Sequence, residues 1–139
     1  MSRPSVLFVC VKNGGKSQMA AALMRQRHGA DVDVHSAGTR PGDALNEGSV
    51  AALEEVGADV GGEHPKPIDP ALLDAVSLVV VIGDEARIDA PGRAPVDRWV
   101  TVEPSLRGIE GEERMRLIRD DLTERVDALA AQMTRSVSP

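Results

Sequence analysis

Four apolar runs along the chain are typical of buried β-strands. The runs at 5–10 and 77–83 are short and continuous, as in strands of a parallel sheet that is covered on both faces. The run at 31–38 alternates apolar and polar residues and predicts a further strand. The run "RWVTV" at 98–102 predicts the last strand.

Helical patterns fill most of the segments between these strands. The predicted helices span 17–29, 46–57, 70–76 and 110–133. Ser17 can start the first helix, and Gly29 and Gly57 can end the first and second. The long last helix carries an apolar stripe at spacings of three and four residues: Met115, Ile118, Leu122, Val126 and Leu129.

The remaining segments join these elements. Prolines and glycines predict an extended connection over 59–70, and 84–97 is predicted to hold a short helical turn and a loop. Strands and helices therefore alternate, which predicts a three-layer α/β/α fold with a four-stranded parallel sheet, in a single domain over 1–139. Folds of this class bind ligands beyond the carboxyl ends of the strands.

Composition and charge exclude several kinds of partner. The net charge is -6 and aromatic residues make up 1% of the chain, which argues against nucleic acid. No apolar stretch approaches the roughly 18 residues of a membrane span, and the first residues lack a secretory signal pattern. We expect a cytoplasmic protein with neither a nucleic-acid nor a membrane partner.

The chain contains one cysteine, Cys10. A single cysteine excludes an internal disulfide and a cysteine-based metal cluster, and it is typical of a reducing compartment. The three histidines are scattered without ligand spacing, so no metal site is predicted. Two of the three lysines, Lys12 and Lys16, lie close to Cys10 in the sequence.

The stretch "CVKNGGKS" at 10–17 joins the first strand to the first helix. The backbone N–H groups of a glycine-containing loop, together with a helix N-terminus, make a site for an anion. The predicted oxyanion-binding residues are Val11, Lys12, Asn13, Gly14, Gly15, Lys16 and Ser17.

Three interpretations of this loop compete. An ordinary strand–helix turn accounts for the glycines alone. A nucleotide P-loop, G-x-x-x-x-G-K-[ST], matches Gly15, Lys16 and Ser17, although Cys10 stands where its first glycine belongs. The pattern C-x-x-N-x-x-[RK]-S also fits. In it the helix start stabilises a Cys10 thiolate, Ser17 donates a hydrogen bond to the sulfur, and Asn13 tolerates left-handed backbone.

Three segments in order carry a family resemblance. They are "VLFVCVKNGGKSQMAAALMR", "HSAGT" at 35–39 and "EPSLRGIEGEERMRLIRDDLTERV" at 103–126. The first resembles the cysteine loop and first helix of the low-molecular-weight tyrosine phosphatase fold family. The other two resemble its S-A-G-T signature and its D-P-x-x-x-G loop with the last helix. The resemblance covers nearly the whole chain, and within the arsenate reductase branch it is closest to the arsenate–mycothiol transferases.

This resemblance implies a reaction and a set of catalytic residues. Arsenate binds in the 10–17 loop and joins the co-substrate mycothiol, and mycoredoxin then releases arsenite; no tightly bound cofactor is implied. Cys10 would activate or transiently bond arsenic, the lysines and loop amides would neutralise the anion, and Glu103 would protonate the departing hydroxide. The implied catalytic residues are Cys10, Lys16, Ser17 and Glu103, with Arg107 as a candidate contact to thiol or anion.

The sequence departs from the family pattern at three points. Lys16 replaces the loop arginine and loses bidentate contact to an oxyanion, which predicts poor phosphoryl transfer. Glu103, before Pro104, stands where the family pattern has aspartate. Its alternative role is that of a solvated cap at a helix start. The second and third cysteines of thioredoxin-coupled arsenate reductases are missing, so the electrons must come from an external thiol. A weak phosphatase and a non-catalytic oxyanion-binding protein remain as alternatives, and the oligomeric state is open.

Overall fold

The computed structural model describes residues 3–137 and contains one four-stranded sheet. Its strands are β1 (Ser5–Cys10), β2 (Asp33–Gly38), β3 (Leu78–Ile82) and β4 (Val96–Trp99). They lie in the order β2-β1-β3-β4, and every neighbouring pair is parallel. The predicted four-stranded parallel sheet is confirmed.

Helices follow the strands as the sequence pattern predicts. They are α1 (Lys16–His28), α2 (Glu47–Glu54), α3 (Pro70–Ala75) and α4 (Gly111–Val137), with a 3-10 helix at Pro104–Arg107. The long last helix starts within a residue of its predicted start and continues four residues beyond its predicted end.

The sheet is covered on both faces, which confirms the three-layer architecture. Val6 and Phe8 of β1 point into a core formed with α1, α2 and α4. Leu7 and Val9 point to the other face and pack with α3 and residues that flank β3. All four side chains are inaccessible to solvent. This is the burial expected of a central strand in a parallel sheet, and it explains the continuous apolar run.

The predicted position of the last strand was wrong by two to three residues. β4 pairs Val96 with Val79 and ends at Trp99, opposite Ile82. Gly83, the residue after β3, has a φ of 97°, which is outside the range of a β-strand. Its N–H donates to the Trp99 carbonyl oxygen at 2.8 Å, and Ile82–Trp99 is the last pair of the ladder. Val100 and Val102, predicted in the strand, are instead exposed. A short helical turn was also predicted within 84–97. Residues 84–95 contain no helical turn, so that prediction is wrong.

The single domain predicted for 1–139 stays a prediction, and residues 1, 2, 138 and 139 lie outside the described part. Within residues 3–137, no helix is both long and apolar enough to cross a membrane.

Candidate active site

The loop between β1 and α1 lies at the carboxyl edge of the sheet. Cys10 is the last residue of β1 and pairs with Gly38 at the end of β2. Residues 11–15 then lead into α1. Gly15 occupies the N-cap position and has no side chain to cap the first turn. The first N–H groups of α1 are therefore free to face an anion.

The Cys10 thiol lies beside a buried hydroxyl group. Its Sγ atom is 2.8 Å from Ser17 Oγ, and the side-chain amide of Asn13 donates to the same oxygen at 2.8 Å. Because the hydroxyl accepts from Asn13, its proton is available to the sulfur. The predicted hydrogen bond between Ser17 and Cys10 is confirmed.

Asn13 holds the loop in shape. It is fully buried and has a φ of 54°, which confirms the left-handed conformation predicted for it. Its Oδ1 accepts hydrogen bonds from Gln18 Nε2 at 3.2 Å and from the Lys66 backbone N–H at 3.1 Å. The loop is thereby tied to α1 and to the connection between α2 and α3, so its shape is set without a bound ligand.

Four peptide groups of the loop share an orientation. The carbonyl oxygens of Cys10, Val11, Lys12 and Gly14 accept from backbone N–H groups of 39–46 at distances of 2.7 to 3.1 Å. In a trans peptide the N–H points opposite to the C=O. The N–H groups of residues 11, 12, 13 and 15 therefore point away from 39–46. No backbone oxygen of the described residues accepts from them. Such amides form an anion-binding concavity.

Two lysines add positive charge at this concavity. Lys12 is exposed, whereas Lys16 is half-buried with its Nζ 3.7 Å from Glu103 Oε2. Glu103 directly precedes Pro104, the first residue of the 3-10 helix. The fold therefore brings Glu103, which is 93 positions from Cys10 in the chain, to the same site.

Glu103 is held by the start of α4. Arg114 donates to it from Nε at 2.8 Å and from Nη2 at 3.3 Å, and Ser105 Oγ donates at 2.7 Å. The Arg114 hydrogen bonds, followed by that of Ser105, lower the pKa of Glu103 to about 2. Glu103 is therefore ionised at neutral pH, and protonating it requires the pair with Arg114 to be disrupted.

A cavity of about 340 Å³ opens over the loop. Cys10, Lys12, Lys16 and Glu103 line it together with the 82–86 segment after β3. The structure thus places a thiol, two ammonium groups and three carboxylates, those of Asp84, Glu85 and Glu103, around one cleft. Asn13, Gly14, Gly15 and Ser17 shape the loop beneath it rather than line it. The remaining candidate, Arg107, is exposed on the 3-10 helix and does not line this cavity.

Three residues that sequence reasoning missed support the site. A Cβ on Gly38 would lie 2.7 Å from the Val11 carbonyl oxygen, so β2 approaches the loop where only glycine fits. Lys66 braces Asn13 through its backbone, and Arg114 holds Glu103. The glycine that ends "HSAG" was a usable signal for Gly38. Nothing local marks Lys66 or Arg114.

The arrangement can bind a tetrahedral oxyanion and present a thiol to it. Among residues 3–137, no three His, Cys, Asp or Glu side chains lie close enough together to hold a metal ion. The catalytic roles predicted for Cys10, Lys16, Ser17 and Glu103 stay predictions.

Comparisons with known proteins agree with this geometry. The family model for the low molecular weight phosphotyrosine protein phosphatase matches residues 5–102. An arsenate reductase of Bacillus licheniformis is 29% identical over 136 residues, which is 94% of this chain and 97% of the relative.

Solved structures include similar arsenate reductases. One in a phosphate-binding state superposes with a TM-score of 0.80 at 25% identity, covering 94% of this chain and 98% of that one. A thioredoxin-dependent arsenate reductase of Corynebacterium glutamicum gives 0.77 at 28% identity. The match covers 96% of this chain but 63% of the Corynebacterium protein, which is the longer of the two.

Proposed function

The chain belongs to the low molecular weight phosphotyrosine protein phosphatase family, and on that basis we propose that it is a thiol-dependent arsenate reductase of the arsenate–mycothiol transferase type. The observation that carries the proposal is the Cys10 thiol, which is hydrogen-bonded to Ser17 and lies beside two lysines. The N–H groups of residues 11, 12, 13 and 15 in its loop have no backbone acceptor within residues 3–137. The arsenate reductases among its relatives support arsenate as the oxyanion.

The proposed reaction joins arsenate to the thiol without changing the oxidation state of arsenic. One As–O bond breaks and one As–S bond forms, and the departing oxygen leaves as water with the proton of the thiol. Cys10 either bonds arsenic transiently and is displaced by the incoming thiol, or holds the oxyanion for direct attack. The loop amides and both lysines stabilise the negative charge on the arsenate oxygens throughout.

Reduction takes place in a later step on the released adduct. The thiol of mycoredoxin attacks the adduct sulfur, a mixed disulfide forms, and arsenic leaves as arsenite. Two sulfur atoms are oxidised as As(V) becomes As(III), so the electrons balance. No second cysteine is needed within these 139 residues, which contain Cys10 alone.

The single cysteine favours a small thiol as the donor. A relay that ends on thioredoxin needs further cysteines to carry the disulfide to the surface. The Corynebacterium relative is described as thioredoxin-dependent, and over a third of its length lies outside the match. Here the co-substrate has to reach Cys10 itself, and the half-buried thiol at the cavity wall is accessible to it.

We assign Glu103 a positioning role in the resting enzyme. Arg114 and Ser105 keep its carboxylate ionised and oriented, and that carboxylate holds the Lys16 ammonium at the cavity mouth. A general-acid role for Glu103 needs the Arg114 pair to be disrupted when arsenate binds. The pH dependence of turnover separates the two roles, as set out in the Discussion.

A phosphatase of the same fold is the second candidate. The family itself and the shape of the loop favour it. Lys16 disfavours it, because an ammonium group makes one point contact where a guanidinium would bind two oxygens of a phosphoryl group.

A cytoplasmic location suits an enzyme that uses a reduced small thiol, and we propose it on those grounds.

Arsenate-dependent NADPH oxidation tests the proposal. One reaction contains mycothiol, mycoredoxin and their reductase, and a parallel one contains thioredoxin and thioredoxin reductase. We expect turnover with the mycothiol set alone, lost in Cys10→Ser. Turnover only in the thioredoxin reaction would show that thioredoxin, and not mycothiol, supplies the electrons. Hydrolysis of p-nitrophenyl phosphate with no arsenate turnover in either system would favour the phosphatase.

A further inference from the structure

A second cavity adjoins the one over Cys10. Its volume is about 410 Å³, within the range of small-molecule sites. It is lined by Val11, Thr39, Arg40, Glu85, Arg87 and Asp89. Val11 and Glu85 line both cavities, so the two spaces meet beside the cysteine loop.

One wall of this second cavity, formed by Thr39 and Arg40, is hydrogen-bonded to the cysteine loop. The backbone N–H of Thr39 donates to the Cys10 carbonyl oxygen at 3.1 Å, and that of Arg40 donates to the Val11 carbonyl oxygen at 2.8 Å. A ligand on this wall is therefore held in register with the thiol. The Arg40 side chain is exposed and has no protein partner among the described residues.

The opposite wall is the segment that follows β3. Arg87 Nη1 donates to the carbonyl oxygens of Asp84 at 2.7 Å and Ala86 at 3.1 Å. Ala86 is buried in the core beneath, and Arg98 from β4 donates to its carbonyl oxygen at 2.9 Å. The Arg87 bonds hold the segment in shape, whereas the Arg98 bond and the buried Ala86 fix it to the sheet. The cavity is therefore a preformed concave surface.

We propose that this second cavity binds the polar body of the thiol co-substrate, with its sulfur passing over Val11 to the oxyanion held at Cys10. The inference deepens the proposed function and rests on it. The segment after β3 forms one wall of this open cavity, which is lined mainly by polar side chains. An external thiol bound there lies beside the cysteine loop, because Val11 and Glu85 line both cavities.

The charges of the cavity select a class of thiol. Arg40 and Arg87 supply hydrogen-bond donors, Glu85 and Asp89 supply acceptors, and Thr39 supplies both. The formal charges of these side chains cancel. Hydroxyl groups can satisfy donors and acceptors alike, so the lining suits an uncharged, polyhydroxylated thiol. A peptide thiol with two carboxylates, such as glutathione, gains contacts with Arg40 and Arg87 but meets repulsion from Glu85 and Asp89, so its charges bring no net gain in a lining that is neutral overall.

Binding of a thiol that cannot react tests this site apart from turnover. S-methyl mycothiol is titrated calorimetrically into the intact protein in the presence of phosphate, and S-methyl glutathione is titrated in parallel. We expect S-methyl mycothiol to bind at least about tenfold more tightly. Arg40→Ala and Asp89→Asn should each weaken its binding about tenfold. Arg93→Ala removes an exposed arginine that lines neither cavity, and its dissociation constant should match the wild type.

The kinetic counterpart is a rise in KM for mycothiol in Arg40→Ala with kcat and the arsenate KM unchanged. Unaltered mycothiol affinity and KM in both cavity variants, in an enzyme that turns over, would overturn the site and leave the transferase standing. A loss of affinity in Arg107→Ala instead would move the thiol to the 3-10 helix. Binding that depends on Arg40 in a protein without arsenate turnover would keep the site and remove the proposed reaction.

Discussion

At the scale of single residues, side-chain type and spacing were enough to predict the centre of the loop. The Ser17–Cys10 hydrogen bond and the left-handed Asn13 both follow from the pattern C-x-x-N-x-x-[RK]-S, because loop, cap and helix start are consecutive in the chain. Arg114 and Lys66 escaped prediction for the opposite reason. Their partners Glu103 and Asn13 lie 11 and 53 positions away, and only the fold brings them together.

Replacing Asn13 should destabilise the protein through the loop. Asn13→Ala leaves the half-buried Lys66 N–H without its acceptor and puts alanine in left-handed backbone. Together these effects should lower the free energy of unfolding by about 3 kcal/mol. Urea denaturation measures the change. Asn13→Gly keeps the backbone conformation and loses only the side-chain bonds, so it should cost less; an equal or larger cost would contradict the conformational argument.

At the scale of elements, hydrophobic periodicity located all four α-helices and three of the four strands, but not the 3-10 helix at Pro104–Arg107. Central strands with two covered faces leave continuous apolar runs, as β1 and β3 do. β4 was misplaced because it is an edge strand, with an exposed Val96 and Asp97 in its first half. Its pairing ends where β3 ends, at Ile82, and the local sequence of β4 does not record that limit.

The approach of β2 to the cysteine loop can be tested with a matched pair of glycines. A Cβ at Gly38 would lie 2.7 Å from the Val11 carbonyl oxygen, whereas one at Gly42 would meet Lys12 Cβ at an ordinary 3.6 Å. Gly38→Ala should therefore lower the unfolding free energy by about 1 to 3 kcal/mol and reduce arsenate turnover. Gly42→Ala should stay within about 0.5 kcal/mol of the wild type. If Gly38→Ala and Gly42→Ala changed thermal unfolding and activity equally, the close approach of β2 to the cysteine loop would not explain the effect of Gly38→Ala.

The ion pair of Glu103 with Arg114, which joins the start of the 3-10 helix to α4, predicts how stability depends on pH. A carboxyl whose pKa is lowered in the folded state adds stability above its unfolded value, and that stability is lost as the pH falls through its folded value. For Glu103 the window runs from 4.5 down to about 2. Arg114→Gln removes the main cause, so the stability lost in that window should shrink. NMR titration of the Glu103 carboxyl checks the shift directly.

The same variant tests the positioning role of Glu103. Arg114→Gln should reduce arsenate kcat/KM about tenfold, because the carboxylate that holds Lys16 loses its orientation. Arg116→Gln is the matched control on α4, since it breaks a comparable pair with Glu55, whose pKa is also lowered to about 2, mainly by Arg116. It should leave turnover unchanged. In the wild type, turnover that falls steadily between pH 5 and 7 as a carboxyl deprotonates would instead favour Glu103 as a general acid.

At the scale of the whole molecule, the strand order decides which segments meet at the site. With β1 in the middle, the loops after β1, β2 and β3 all lie at one edge, and the Glu103 segment after β4 joins them. Alternating elements predict such an edge from sequence. They do not predict which small molecule enters it, because the second cavity is built from residues of three loops: Val11, 39–40 and 85–89.

The most direct test of the central claim is to identify the arsenic species formed by the enzyme with arsenate and mycothiol alone. Mass spectrometry of the small-molecule fraction distinguishes an As(V)–mycothiol adduct from free arsenite. We predict that the adduct accumulates, depends on Cys10, and gives arsenite only when mycoredoxin is added. Arsenite released without mycoredoxin, or no adduct while thioredoxin supports reduction, would contradict the transferase account.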